Sequence, residues 1–235
     1  MFFKLISYLN FIYHSKNEHG VHSPFVFNLV TKCLYDKTKK SSYDVIRLNR
    51  NALLKNKNAT IEDTILPLKD AKALFRIVNY FQPTSILSLD APLSLANTIL
   101  NSNCNSIKVT FLENILTDAQ PSFTEKRSSQ SDNEIDFQNL NDLKSDLLQH
   151  KLFDFIYIDL KQIQNDIVRY FELLLPTAHN NSVWIFANSN QNTETAAAWK
   201  IIKNHPKITV TVATFTLNFV FFRTEQQKEH FVIRL

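Results

Sequence analysis

Along the N-terminal third of the chain, apolar residues recur with the three-to-four spacing of helices. Phe2, Leu5, Ile6, Leu9 and Ile12 predict a first helix. Residues 19–24 break that spacing. Ser23 then predicts an N-cap, with Pro24 at the first position of a second helix through Phe27, Val30 and Leu34. A third helix is predicted over 43–55, with Val45, Ile46, Leu48 and Leu53 apolar, and 56–60 is a polar break. A fourth runs over 69–81, with Ala73, Leu74, Ile77, Val78 and Phe81 on one side, and Pro83 ends it.

From residue 85 the rhythm changes. Short apolar runs predict strands over 85–89, 107–112, 134–137, 153–158 and 183–187. Helices are predicted between them over 93–100, 141–150, 163–175 and 193–204, with Pro176 and Pro206 as stops and 117–131 as a polar loop. Strands 208–215 and 219–223 are separated by a few residues and predict an antiparallel hairpin. The tail, 225–235, is charged and then apolar. Strands without polar alternation, separated by helices, predict a parallel sheet covered on both faces. The fold class is therefore α/β: a mostly parallel seven-stranded sheet with an antiparallel C-terminal hairpin. The domain reading is an N-terminal helical cap, 1–68, on an α/β domain, 69–235.

Composition sharpens one point. The chain of 235 residues has a single glycine, Gly20, where average usage predicts about sixteen. Glycine lets backbone approach a phosphate or cofactor and take positive φ without strain. A glycine-rich cofactor loop is excluded everywhere else, and Gly20 itself is expected at positive φ.

Charge and cysteine content exclude further classes. The net charge is +4, and basic residues are scattered apart from Lys37, Lys39 and Lys40. Nucleic-acid binding, which clusters basic residues on one face, is not expected. Cys33 and Cys104 are isolated and make neither a disulfide framework nor a zinc spacing. Buried, reduced thiols and a cytoplasmic location are expected. No apolar run reaches the ~18–20 residues of a transmembrane helix. The first helix carries only Lys4 and Asn10 on its polar face, too little for a membrane-surface helix, so packing on the domain is expected.

Two segments carry a family resemblance. One is His19-Gly20-Val21-His22-Ser23-Pro24-Phe25-Val26-Phe27. The other runs from Ala198-Trp199-Lys200-Ile201-Ile202 through Phe219-Val220-Phe221-Phe222-Arg223 to Lys228-Glu229-His230-Phe231. Together with the order of elements, they resemble the class I S-adenosylmethionine-dependent methyltransferases, and a Bacteroidetes O-methyltransferase-like group with an HGVHSPF signature. The resemblance implies a Rossmann-like fold with strand order 3-2-1-4-5-7-6. Ligands of such sheets bind beyond the carboxyl ends of the strands.

The central motifs depart from that family. After the first strand the family has an acid and then a glycine-rich turn against the cofactor. This chain reads Ile86-Leu87-Ser88-Leu89-Asp90-Ala91-Pro92-Leu93-Ser94: Ser88 stands at the acid position, and Asp90 and Ser94 stand where glycines are expected. Pro92 stiffens the turn further. Glu113, after the second strand, matches the acid that accepts the ribose hydroxyls in the family, although strand-end acids also occur without a ligand. Asp159 survives after the fourth strand, but Leu160 replaces a glycine and Gln162 a histidine. The fifth strand is followed by Asn188-Ser189-Asn190 without a carboxylate, so no metal site is expected from Asp159 alone. If any cofactor binding is retained, Ser88, Asp90, Glu113 and Asp159 carry it.

His19 and His22 have a ligand-like spacing, but Gly20 and Pro24 predict a turn, and docking of the second helix is the expected role. Trp199 and the aromatic cluster of the hairpin read as core. No catalytic residue can be assigned from spacing.

The functional expectation is a methyltransferase-like pseudoenzyme. It binds no cofactor and serves a structural or interaction role, through an unknown protein partner or self-association. The alternative is an active O-methyltransferase that uses S-adenosylmethionine on a small hydroxylated acceptor.

Overall fold

The computed structural model describes residues 2–55, 66–89, 108–112, 134–138, 151–161, 163 and 166–235. The features expected at 56–60, 93–100, 117–131 and 141–150 lie outside the described residues.

The cap comprises α1 (Phe2–His14), a 3-10 turn (Glu18–Gly20), α2 (Pro24–Leu29) continued by a π turn (Val30–Leu34), and α3 (Ser42–Lys55). The helix α4 (Leu68–Phe81) leads into the sheet. The strands are β1 (Ser85–Leu89), β2 (Lys108–Leu112), β3 (Glu134–Gln138), β4 (Phe155–Asp159), β5 (Val183–Ala187), β6 (Val210–Ala213), β7 (Leu217–Phe221) and β8 (Glu229–Val232). Between them lie α5 (Ile167–Leu174), a 3-10 turn (Leu175–Thr177) and α6 (Thr193–Asn204). Pro176 sits inside that short turn and ends the helix through it. The Asn192 side chain caps α6, accepting from Thr195 N–H, and the Thr195 hydroxyl accepts from Asn192 N–H in return.

The sheet order is β3-β2-β1-β4-β5-β7-β6-β8. The five strands β1–β5 pair in parallel, and β7 joins β5 and β6 antiparallel. This is the expected Rossmann-like methyltransferase topology, extended by one strand. The tail residues of β8 pair in parallel with β6, and a bridge from Ile233 to Lys16 ties the tail to the cap.

Both faces of the sheet are covered. Phe155, Tyr157, Val183, Ile185, Phe219 and Phe221 pack beneath α2 and α4. Ile156, Ile158, Trp184, Phe186 and Val220 pack with Phe171 and Ile202 from α5 and α6. Each strand therefore needs apolar residues on both sides, which is why β4 and β5 read as unbroken runs.

The cap is joined to the sheet by directed bonds as well as by packing. Ser23 Oγ accepts from Val26 N–H at 3.4 Å and donates to Gln226 Oε1 at 3.1 Å. Arg76 on α4 donates from Nε to the Cys33 carbonyl and from Nη2 to the Leu34 carbonyl, both at 2.9 Å. These carbonyls end the π turn; the Cys33 carbonyl also accepts from the Asp36 N–H at 3.2 Å, and the guanidinium completes the C-terminal capping. Cys33 is buried, and burial pushes its thiol up to about 12, so it is an inert packing group.

Two expectations are corrected here. Gly20 does not adopt positive φ. It closes the 3-10 turn, donating to the Asn17 carbonyl at 3.1 Å. A Cβ on it would meet Lys16 Cδ at 2.8 Å and Lys16 Cβ at 3.1 Å. The position is small because the Lys16 stem lies across it. The left-handed conformations belong to Gln82 and Asn188 instead. The second correction concerns α1, which buries no residue. Its ring contacts to the body are Tyr8 and Phe11 on Phe215 of the β6–β7 turn, with centroids at 5.0 and 5.6 Å, and its most apolar stripe faces outward. Among the described residues, no helix is long and apolar enough to cross a membrane.

Candidate functional site

The described part of the site lies at the carboxyl ends of β1, β4 and β5, beneath α4. Alternation along β4 places Phe155, Tyr157 and Asp159 on the cap side. Asp159 is paired in register with Ala187, the last residue of β5. Asn188 follows with φ 62° and anchors its N–H on the Thr216 carbonyl at 2.9 Å.

This turn aims the Asn188 side chain at Asp159. Nδ2 donates to Asp159 Oδ1 at 2.9 Å and to Oδ2 at 3.0 Å. Lys161 N–H donates to Oδ1 at 3.0 Å. Gln191 Nε2 donates to Asn188 Oδ1 at 3.1 Å, which fixes the amide with its nitrogen toward the carboxylate. Asp159 is buried. Burial pushes its carboxyl above the ordinary range, against the Asn188 amide and the Lys161 N–H.

A second buried carboxylate belongs to the same network. Asp70, in the first turn of α4, accepts from Thr216 Oγ1 at 2.8 Å, and burial likewise pushes its carboxyl up. Thr216 thus serves Asp70 with its hydroxyl and Asn188 with its carbonyl. Sequence reasoning missed Asp70 and Thr216. Asp70 left one signal: it occupies the stripe of Leu74, Ile77 and Val78, where an acid has no place without a partner.

Ser88 and Tyr157 are register neighbours on β1 and β4. Both are fully buried, and among the described residues neither Ser88 Oγ nor Tyr157 Oη has a hydrogen-bond partner. Burial pushes the Tyr157 phenol well up, and Asp159 and Asp70 add to the effect. Among the described residues, no hydrogen bond joins Ser88 to Asp159. Asp90 and Glu113 lie outside the described residues. Leu160 is buried in the core on the opposite face, with its N–H on the Ala187 carbonyl at 3.1 Å.

The chemistry open to these groups is narrow. An asparagine that helps hold a cation presents its carbonyl oxygen to the ion. Here the nitrogen faces the carboxylate, and the oxygen is bound to Gln191. Among the described residues, no cluster of three His, Cys, Asp or Glu could hold a metal ion. His19 and His22 are exposed on the cap surface.

No protein-family model matches this chain, and no curated protein matches its sequence. Solved structures do match. An O-methyltransferase from Bacillus cereus, in complex with SAH, has TM-score 0.52 and 15% identity over 80% of this chain and 93% of its own. The Podospora anserina methyltransferase PaMTH1, bound to SAH, has TM-score 0.55 and 9% identity over 86% and 97%. The O-methyltransferase TomG from Streptomyces achromogenes, in complex with SAM, has TM-score 0.53 and 12% identity over 84% and 95%. At these identities the likeness is one of fold, and the fold is that of the class I methyltransferases.

Proposed function

We propose that this chain is a methyltransferase-fold protein that has given up S-adenosylmethionine chemistry and serves as a cytoplasmic structural or interaction module. The observation that carries the reading is the closed state of Asp159: both carboxylate oxygens are taken by the Asn188 amide, and the residue is buried. Ser88 adds support. It stands where the resembled family has an acid, and its hydroxyl is sealed in the sheet. These described residues do not fit a polar, charged cofactor, which needs accessible acceptors. Catalysis of methyl transfer rests largely on holding cofactor and acceptor in line. Asp90, Pro92 and Ser94, which follow β1 in the sequence where the resembled family has a glycine-rich segment, work against that alignment.

In this reading the helical cap, 1–68, and the resemblance to the Bacteroidetes group describe a lineage in which scaffold outlived chemistry. The opposite reading, an O-methyltransferase acting on a small hydroxylated acceptor, draws on the unpaired Tyr157 and Ser88 hydroxyls, which a bound molecule would satisfy. Calorimetric titration with S-adenosylmethionine and S-adenosylhomocysteine separates the two. No heat of binding is expected. A dissociation constant below ~100 μM, about −5.5 kcal/mol, would restore the enzyme.

A further inference from the structure

The first helix is turned inside out. Its spacing divides α1 into two sides. Phe3, Ser7 and Phe11 are partly buried, and Phe11, with Tyr8 at the border, meets Phe215. The opposite side carries Phe2, Leu5, Ile6, Leu9 and Tyr13, which are 83%, 56%, 64%, 60% and 85% exposed. These five side chains form one continuous apolar stripe without a charge. Isolated exposed apolar residues need no explanation, but a contiguous stripe marks a contact surface.

We propose that this stripe is the interface between two copies of this chain, paired through antiparallel α1 helices about a twofold axis. Three observations favour a second copy.

The first is area. At about 200 Å² for a fully exposed aromatic residue, and somewhat less for leucine and isoleucine, the five exposures sum to roughly 600 Å². At complete burial two copies cover up to about 1,200 Å², which reaches the lower end of specific protein interfaces.

The second is self-complementarity. A twofold axis requires the same patch on both subunits. An antiparallel pair crossing at the middle of α1 sets Phe2 of one copy against Tyr13 of the other, and Ile6 against Leu9. Large faces large at the ends and aliphatic faces aliphatic at the centre.

The third is charge. A helix lying on a lipid surface carries many basic residues on its polar face. The basic residues of α1 are Lys4 and His14 alone.

The anchoring of α1 suits this role. Beyond His14 the chain is held by the Lys16–Ile233 bridge, with Lys16 N–H on the Val232 carbonyl at 2.8 Å and Arg234 N–H on the Lys16 carbonyl at 3.2 Å. The helix is fixed at its base and presents its stripe away from the body. The proposal does not depend on whether the cofactor binds.

Sedimentation velocity of the full chain at about 50 μM tests it. The expected mass is twice 27.3 kDa. It falls to one chain in a Leu5→Glu/Leu9→Glu variant, which keeps its fold because both sites are exposed in the single chain and melts at the temperature of the dissociated wild-type chain at high dilution. A second variant is independent of that folding assumption. Phe2→Cys/Tyr13→Cys, in a Cys104→Ser background, places thiols about 16 Å apart within one helix. They are too distant to bridge internally. Mild oxidation should yield a covalent dimer, whereas Phe2→Cys alone should not crosslink. A monomer at every concentration, a dimer that survives the glutamates, or crosslinking through Phe2→Cys alone would overturn the proposal. So would flotation of a monomer with phosphatidylglycerol-containing vesicles, which would assign the stripe to a lipid surface.

Discussion

The side-chain nitrogen of Asn188 bonds both carboxylate oxygens of Asp159, at 2.9 and 3.0 Å. The contact depends on backbone as much as on side chain. Asn188 takes φ 62°, a left-handed conformation that asparagine tolerates better than most residues. That turn brings the amide back over the end of β4. Asp159 is thereby a structural carboxylate, solvated by protein donors.

Asn188→Ala should expose the cost of that carboxylate. The substitution leaves a buried charge with the Lys161 N–H as its remaining donor, a loss of about 2–3 kcal/mol at neutral pH. The sign of the pH dependence follows from the raised carboxyl. The native state keeps its proton to higher pH than the unfolded chain, where the value is ~3.9. Stability is therefore complete below that value and declines as pH rises through the folded one. Loss of the amide pushes the carboxyl higher still, so the penalty should grow from pH 4 to pH 7. Denaturant melts at the two pH values check this, and an equal penalty at both would refute an ionised Asp159.

Divalent cations should leave the melting temperature unchanged. A bound ion stabilises the native state by mass action. Here it would first have to displace the Asn188 amide and turn its oxygen around, against the bond from Gln191. A rise in melting temperature with millimolar magnesium or manganese, reversed by chelator, would show that the amide yields.

The sequence conveyed the fold better than the site. Ser23 and Pro24, and Asn192 three residues before Thr195, start α2 and α6 through local chemistry, and local chemistry is visible in a sequence. The unbroken apolar runs of β4 and β5 announced a covered sheet for the same reason. β8 escaped because Glu229 and His230 read as a solvated tail, and its pairing with β6 is a long-range event. Gly20 was misread because rarity suggested a backbone constraint, whereas the constraint is the stem of Lys16. The outward turn of α1 escaped because periodicity finds an apolar face without saying what covers it. At the site, Asp159 and Asn188 were legible as neighbours from the ends of their strands. Asp70 was not, because α4 meets β5 and the hairpin only in three dimensions.

Gly20→Ala should be a mild change tied to one neighbour. An alanine loses less backbone freedom on folding, worth about 0.4–1 kcal/mol in its favour. Its Cβ must displace Lys16, whose backbone is held by the bridge to β8. The two effects oppose, and a net loss of at most about 1 kcal/mol is expected. The sharper expectation is coupling. Gly20→Ala and Lys16→Ala should be non-additive by about 0.5 kcal/mol or more, with the double variant recovering stability. Additive energies would show that Lys16 does not set the constraint.

Arg76 should matter to the cap more than to the sheet. Its guanidinium spans the Cys33 and Leu34 carbonyls, a fork geometry that lysine cannot reproduce. Arg76→Ala should cost about 2–3 kcal/mol, since hydrogen bonds to a charged group are the stronger kind. Arg76→Lys should recover only part of it. Hydrogen exchange should show α2 amides losing protection before those of β4 and β5. Uniform loss of protection would mean that the cap and sheet unfold as one unit and that Arg76 is no special link.

Tyr157→Phe tests both the packing account and the loss of function. The phenol is fully buried, has no hydrogen-bond partner among the described residues, and sits close enough to Asp159 and Asp70 for their charges to resist its ionisation. An orphaned buried hydroxyl costs about 1–3 kcal/mol. Phenylalanine keeps the ring and removes the orphan, so the variant should be more stable by about 1 kcal/mol in denaturant melts. The same substitution in a chain that holds a small molecule against Tyr157 would remove a bond, and stability in the presence of that molecule would fall. Stabilisation by Tyr157→Phe, with S-adenosylmethionine absent and present alike, is the outcome expected of a scaffold whose chemistry is gone. A loss of more than about 1 kcal/mol would mean that the hydroxyl has a partner to bond, and would reopen the site between β1 and β4 as a place where something binds.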